Sequence, residues 1–259
     1  MEPSYFITKY SMNLQPIKTA KIVANQTSLI KILDTAVETL SEGSILVITS
    51  KIVSLCEGRV VKIGTKDKQE LIQSESQFFI PPEKSSYEFS LTITRNTLIP
   101  TAGIDESNGD RYYVLWPSDP FATSRTVRTY LTKRFSLTDV GVLITDSKTT
   151  PLRWGTSGIA LGHAGFVALN NYIGTPDLFG RYLKVTKANV ADGLAAAAVV
   201  TMGEGNEQTP LAVISDIPFV HFQSGSPTAE EIKDLVIDPT EDLYGPIIQS
   251  PLWVKGKGK

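Results

Sequence analysis

The chain's 259 residues, 41% hydrophobic and 20% charged, suffice for a sizeable core in one unit with two lobes. A net charge of −2, with no basic stripe interleaved with aromatics, argues against nucleic-acid binding. No apolar run approaches the roughly 20 residues that a membrane-spanning helix needs, so no membrane span is expected. Met1-Glu2-Pro3-Ser4-Tyr5 lacks a basic region followed by an apolar one, so no secretory signal is read there. Cys56, the single cysteine, excludes an internal disulfide and fits a reducing interior. A cytoplasmic protein is expected.

Residues 28–40 space Leu29, Ile30, Ile32, Leu33, Ala36, Val37 and Leu40 at a helical period, and Gly43 supplies the C-terminal cap of that helix. Residues 44–50 (SILVITS) form a nearly continuous apolar run, read as a buried strand. A β-rich stretch is expected at 60–63, a polar helix at 66–76, and a break at Pro81-Pro82. Residues 87–95 alternate through Phe89, Leu91 and Ile93 as a half-exposed strand, and 112–116 form another. The spacing predicts an amphipathic helix over 122–135, with Arg125, Arg128, Lys133 and Arg134 on its polar side. A buried strand is expected next, at 140–145. The glycine-rich stretch 155–165 suits close backbone approach to a partner chain or ligand. An alanine-rich helix is expected over 189–202, a strand at 211–214 and a short helix at 229–236, with 255–259 disordered. Strands and helices interleave irregularly. The expected class is therefore α+β, with two interleaved lobes and mixed or antiparallel sheets flanked by helices.

Two histidines, no zinc spacing, no GxxxxGK[ST] loop, no GxGxxG and no GxSxG elbow exclude the common metal, nucleotide and serine-hydrolase signatures. Three acidic cassettes remain: Asp105 with Asn108, Asp146-Ser147, and Met202-Gly203-Glu204-Gly205. Converging carboxylates and a hydroxyl would hold a hard divalent cation that carries phosphate. Each also has an ordinary reading: an Asx-turn for the first, an N-cap or turn start for the second, and a helix C-cap for the third. Thr49-Ser50-Lys51 offers hydroxyls and one cation for a triphosphate or a carboxylate. Cys56 reads as an inert thiol and His163 as a core or interface group.

Taken in order, the cassettes match a known pattern. ILVITSKIVSLCEGRVV (45–61), AGIDESN (102–108), VGVLITDS (140–147), RWGTSGIALGHAGF (153–166), DLFGRYLKVTKANVADGLAAAA (177–198) and MGEG (202–205) resemble the coenzyme F420:L-glutamate ligase (F420-0:γ-glutamyl ligase) family. The resemblance implies a two-lobed α+β fold, usually a homodimer, with nucleotide and metal near the lobe junction. It implies GTP, or ATP, together with magnesium or manganese, two ions being expected, and a monovalent cation such as potassium. The implied reaction joins L-glutamate to the lactyl carboxylate of a deazaflavin precursor by way of an acyl phosphate. Carried over by motif, Asp105 and Asp146 resemble ligands of one ion, and Ser147 and Glu204 those of a second. Thr49, Ser50, Asn108, Met202, Gly203 and Gly205 resemble nucleotide contacts.

Two departures stand out. Where the family commonly reads SKxxSKAEG, the second lysine, a nucleotide contact, is Leu55 here. Its DTFGRPWREG is replaced by Asp146-Ser147-Lys148-Thr149-Thr150-Pro151-Leu152-Arg153-Trp154-Gly155. These changes leave open a γ-glutamyl ligase for another acceptor (a peptide, a protein or poly-γ-glutamate) and a nucleotide-binding homologue without turnover.

Overall fold

The computed structural model describes residues 11–258; the N-terminal stretch read for a secretory signal, and Lys259, lie outside the described residues. Its centre is a five-stranded sheet built from β1 (Asn13–Ile17), β2 (Ser44–Thr49), β8 (Val140–Thr149), β9 (Thr156–Ala164) and β12 (Leu211–Ser215), ordered β1-β12-β2-β8-β9. Only β2 and β8 run parallel among the described strands, and they pair from Ser44↔Val140 to Thr49↔Thr145.

Both central strands are buried on both faces, which is why their sequences lack alternation. Leu46, Ile48, Val142 and Ile144 meet helices α1 (Leu29–Ala36), α2 (Ser50–Glu57) and α4 (Pro120–Phe135) through Leu33, Ile52, Val53, Val127 and Leu131. Ile45, Val47 and Leu143 face the other way, onto Ala191, Leu194, Ala195 and Ala198 of α5 (Val190–Met202). Side-chain caps begin these helices: Ser28 on α1, Asp119 on α4 and Asn189 on α5.

A second lobe holds β3 (Val60–Lys62) paired with β7 (Tyr112–Val114), and α3 (Lys68–Glu75) capped by Asp67. It also holds a four-stranded sheet of β4 (Phe78–Ile80), β5 (Leu91–Thr94), β6 (Thr97–Pro100) and β13 (Val254–Lys255). Its core gathers Leu71, Ile72, Ala102, Ile104 and Leu115. The remaining elements are the hairpin β10 (Leu169–Asn171) and β11 (Lys187–Asn189), α6 (Ala229–Asp234) and α7 (Gly245–Ile248). No described helix is long and apolar enough to cross a membrane.

The architecture is α+β, as the sequence indicates, with local corrections. Residues 255–258 are not disordered: Lys255 pairs with Phe78, and the Gly256 and Gly258 amides donate to the carbonyls of Gln77 and Ser76. Residues 50–57 form a helix that continues from β2 without a loop, and β1 and β9 are strands the sequence reading omits. The glycines of 155–165 do permit close approach, but to this chain's own backbone. A methyl group on Gly158 would overlap Ala195 of α5, and one on Gly162 would overlap Pro120 at the start of α4. Helices therefore clamp β9 from both sides. Gly158→Val is expected to lower the unfolding free energy by about 3 kcal/mol through overpacking, read as a reduced urea midpoint at constant m-value.

Candidate active site

One cleft of about 370 Å³ lies where the end of the parallel pair meets the second lobe. Parallel pairing sets the C-terminal ends of β2 and β8 side by side, which is where open sheets with parallel strands hold ligands. Thr49 comes from the first strand, Thr145, Asp146 and Ser147 from the second. Asp105, Asn108 and Asp110 enter from the second lobe; Met202 comes from the last turn of α5, and Gly203, Glu204, Gly205 and Glu207 from the loop that follows it. Nine of the ten candidate residues thus share one cavity wall. Ser50 is the exception: as the first residue of α2 it turns inward, is buried, and does not line the cleft.

Asp146 is not at a strand end or a helix cap. β8 continues to Thr149, with Asp146 opposite Ile159, and the register shifts between Ile144 and Thr145, where Leu161 of β9 is left without a partner. The Asp146 carboxylate accepts from the Trp116 indole N–H and, at 2.9 Å, from the Ser147 amide. Burial pushes its pKa up to about 6 against those hydrogen bonds; the nearby Asp105 charge adds to the rise and Lys51 opposes it. Trp116 is itself seated by glycine. Gly103, at φ +71°, lies against the indole, and any β-carbon there would overlap the ring.

Asp105 is fixed by a two-way backbone bridge to Val114, with hydrogen bonds of 3.0 and 2.8 Å. Its carboxylate closes an Asx-turn by accepting from the Ser107 amide at 2.7 Å, so the ordinary reading and the site placement hold together. Lys51 pairs with it at 2.6 Å. Burial alone would raise the Asp105 pKa, but the Lys51 hydrogen bond and charge, with the Ser107 bonds, hold it below its usual value. Asn108, left-handed at φ 54°, donates to the Gly205 carbonyl at 3.0 Å and ties this loop to the one after α5. In that second loop Gly203, at φ +80°, ends α5, and Glu204 accepts from Ser147 at 3.3 Å and Thr156 at 3.1 Å.

The grouping is therefore Asp105 near Asp146, and Glu204 bonded to Ser147. All four offer hard oxygen. Among the described residues no three His, Cys, Asp or Glu side chains form a ready-made metal cage. Magnesium-type ions use one or two carboxylates and complete their shell with water and substrate phosphates, and this donor set fits that mode. Lys21, Trp116, Thr156 and Glu207 are site neighbours the sequence reading does not select, although Thr156 falls inside the segment 153–166. Lys51, read from the sequence as a cation for a triphosphate or a carboxylate, has a carboxylate of this chain as its partner. Outside the cleft, burial and the Glu57 charge push the Cys56 thiol up to about 11, so it stays protonated. His163, between Phe121 and Phe166, is lowered by burial to about 4 and is a neutral core group.

The fold and cleft define an α+β protein with an acidic cleft at the end of a parallel strand pair. The profile of the F420-0:γ-glutamyl ligase family matches residues 16–216, from β1 through β12. The coenzyme F420:L-glutamate ligase of Methanococcus maripaludis strain C7 is 32% identical over 220 residues, covering 79% of this chain and 86% of that protein. The protein of the same name from Methanopyrus kandleri is 29% identical over 254 residues, covering 90% and 98%. That from Methanocaldococcus jannaschii is 31% identical over 222 residues, covering 79% and 86%. The chain belongs to the F420-0:γ-glutamyl ligase family, which places it among amide-forming ligases.

Because Asp146 has a higher pKa folded than unfolded, its contribution favours folding below about pH 4 and is lost as pH rises through about 6. Asp146→Asn is thus expected to stabilise the metal-free protein by about 2 kcal/mol at pH 7.5, and by little at pH 4. Urea unfolding of both proteins in chelator at the two pH values checks this; equal midpoints at pH 7.5 would contradict it.

Proposed function

We propose that this chain is a metal- and nucleotide-dependent γ-glutamyl ligase that couples L-glutamate to an acid of the F420-0 type. One observation carries the reading: Asp105, Asp146, Ser147 and Glu204, remote in sequence, line one cleft whose charge is lopsided. Among the described residues, five carboxylates (Asp105, Asp110, Asp146, Glu204, Glu207) face it against two lysines (Lys21, Lys51), a surplus of three negative charges when all are ionised. A nucleoside triphosphate and two acids cannot enter such a field without added positive charge. Hard divalent cations held by Asp105 with Asp146, and by Ser147 with Glu204, would neutralise the transferring phosphoryl group and the departing diphosphate.

In the reaction an acceptor carboxylate oxygen attacks the γ-phosphorus, and the bond to the nucleoside diphosphate breaks. The glutamate amine then attacks the acyl phosphate carbonyl, phosphate leaves, and the nitrogen loses a proton to solvent. No side-chain nucleophile is needed. The residues' work is placement: Trp116 and Lys51 fix the two aspartates, and the Asn108–Gly205 bond holds the two loops together. Thr49, Asn108 and residues 202–205 line the cleft, which supports their assignment to the nucleotide in this reading.

A homodimer is part of this reading. On the excursion between β10 and β11, Leu178, Phe179 and Val185 are 98%, 95% and 85% exposed, an apolar surface of the kind that marks interfaces.

Incubation with GTP or ATP, magnesium or manganese, L-glutamate and the deazaflavin acid is expected to release nucleoside diphosphate in step with a product one glutamyl residue heavier. Asp105→Asn and Glu204→Gln are expected to lower kcat/KM at least about 100-fold. Absence of diphosphate release by the unaltered protein would refute the proposal. In sedimentation, the protein is expected at twice the chain mass, and Leu178→Asp with Phe179→Asp at the mass of one chain.

A further inference from the structure

Two cations among the described residues face the cleft, and the fold uses them differently. Lys51 is committed: its ammonium pairs with Asp105 at 2.6 Å and donates to the Ser107 carbonyl and hydroxyl at 3.0 Å each. Lys21 lines the same cleft, is exposed, and takes part in no ion pair among the described residues. Its position is nevertheless fixed by the chain on either side. Two residues before it, the Thr19 amide donates to the Gln208 carbonyl at 2.9 Å. One residue after it, Ile22 packs onto the core that joins β2, β8, α1 and α2. The neighbouring wall at Ile52 and Leu55 carries no charge, and no arginine or histidine among the described residues lines the cleft. Lys21 is thus a cation on an anchored backbone, turned to a site otherwise short of positive charge.

We infer that Lys21 binds an anionic oxygen group of a substrate, either a phosphate of the nucleotide or a carboxylate of an acid, and so sets affinity at this cleft. The inference rests on the ligase reading for what the substrates are. The compact ammonium of lysine suits such a role, because it acts as a point charge and does not require a planar partner. A contact made equally in the ground and transition states changes KM and leaves kcat. Lys51 is held by Asp105 and Ser107, whereas Lys21 has no ion-pair partner among the described residues.

The test compares Lys21→Gln and Lys21→Arg with the unaltered protein in steady-state assays that vary nucleotide, L-glutamate and acceptor in turn. The expected result for Lys21→Gln is one KM raised about ten-fold, with kcat within about two-fold and the effect shrinking in high salt. Lys21→Arg is expected to restore most of that KM. A raised nucleotide KM identifies phosphate as the partner; a raised glutamate or acceptor KM identifies a carboxylate. All three values within about two-fold of the unaltered protein would overturn the inference. If the unaltered protein does not ligate, the ligase reading falls separately. Calorimetric titration with inorganic triphosphate and with L-glutamate, each in magnesium, then decides the role of Lys21. About ten-fold weaker binding of either by Lys21→Gln supports it, while equal affinities, or no binding by the unaltered protein, dismiss it.

Discussion

The parallel pairing of β2 with β8 is the constraint on which the rest depends. Antiparallel neighbours would send one strand's C-terminal end to each side of the sheet; the parallel pair delivers both to the same side, with Thr49 directly opposite Thr145. The chain leaves β2 at once into α2 and carries β8 on into a hairpin with β9, so two departing backbones open a space above the sheet. The second lobe, inserted between these strands in sequence, closes that space with Asp105 and Asn108. Burial of both strands on both faces makes the platform stiff, a condition for holding carboxylates at fixed separations.

Polar groups at the lobe junction are linked into a short relay. Gly103 makes room for Trp116, Trp116 donates to Asp146, and Asp146 shares its electrostatic surroundings with Asp105 and Lys51. Burial is the main cause that raises the Asp146 pKa, and the Asp105 charge adds to it, while Lys51 holds Asp105 ionised. The AGIDESN segment therefore has two tasks: its glycine serves the indole, and its aspartate serves the cleft.

Much of this was legible in the chain. Periodicity reveals α1 and α4, polar composition α3, alanine content with the Gly203 cap α5, and apolar runs the two buried central strands; α1 ends at Ala36, capped by Val37, short of the expected Gly43. The acidic cassettes were legible because short polar groups beside long apolar runs have few structural explanations. α2 was not, since Ile52, Val53 and Leu55 look β-like locally and become helical only when packed under the sheet. Nor was the extension of β8 past Asp146, which depends on its pairing with β9 across the turn at residues 150–155. Trp116 and Thr156 are not legible locally because each reaches the site through a contact with a distant segment, and Lys21 because its backbone is placed by the Thr19–Gln208 bond. Ser50 lies one residue past the cleft wall. Its neighbour Thr49 faces the cleft, but the helix begins there and rotates the next side chain inward.

One edge of the central sheet is made by β1, whose Asn13 lies opposite Ser215 of β12. β12 in turn is the strand that joins β1 to β2, so the sheet is stitched together by a segment that lies far downstream of its first strand. Such distant pairing is entropically slow to close. During synthesis the faces of β2 and β8 can be covered by α1, α2, α4 and α5, but the edge of β2 that β12 pairs stays open until residues beyond 211 have left the ribosome. Nascent chains of this protein therefore have a long interval in which chaperone protection matters, and a prematurely terminated product lacks the strand that would complete the fold.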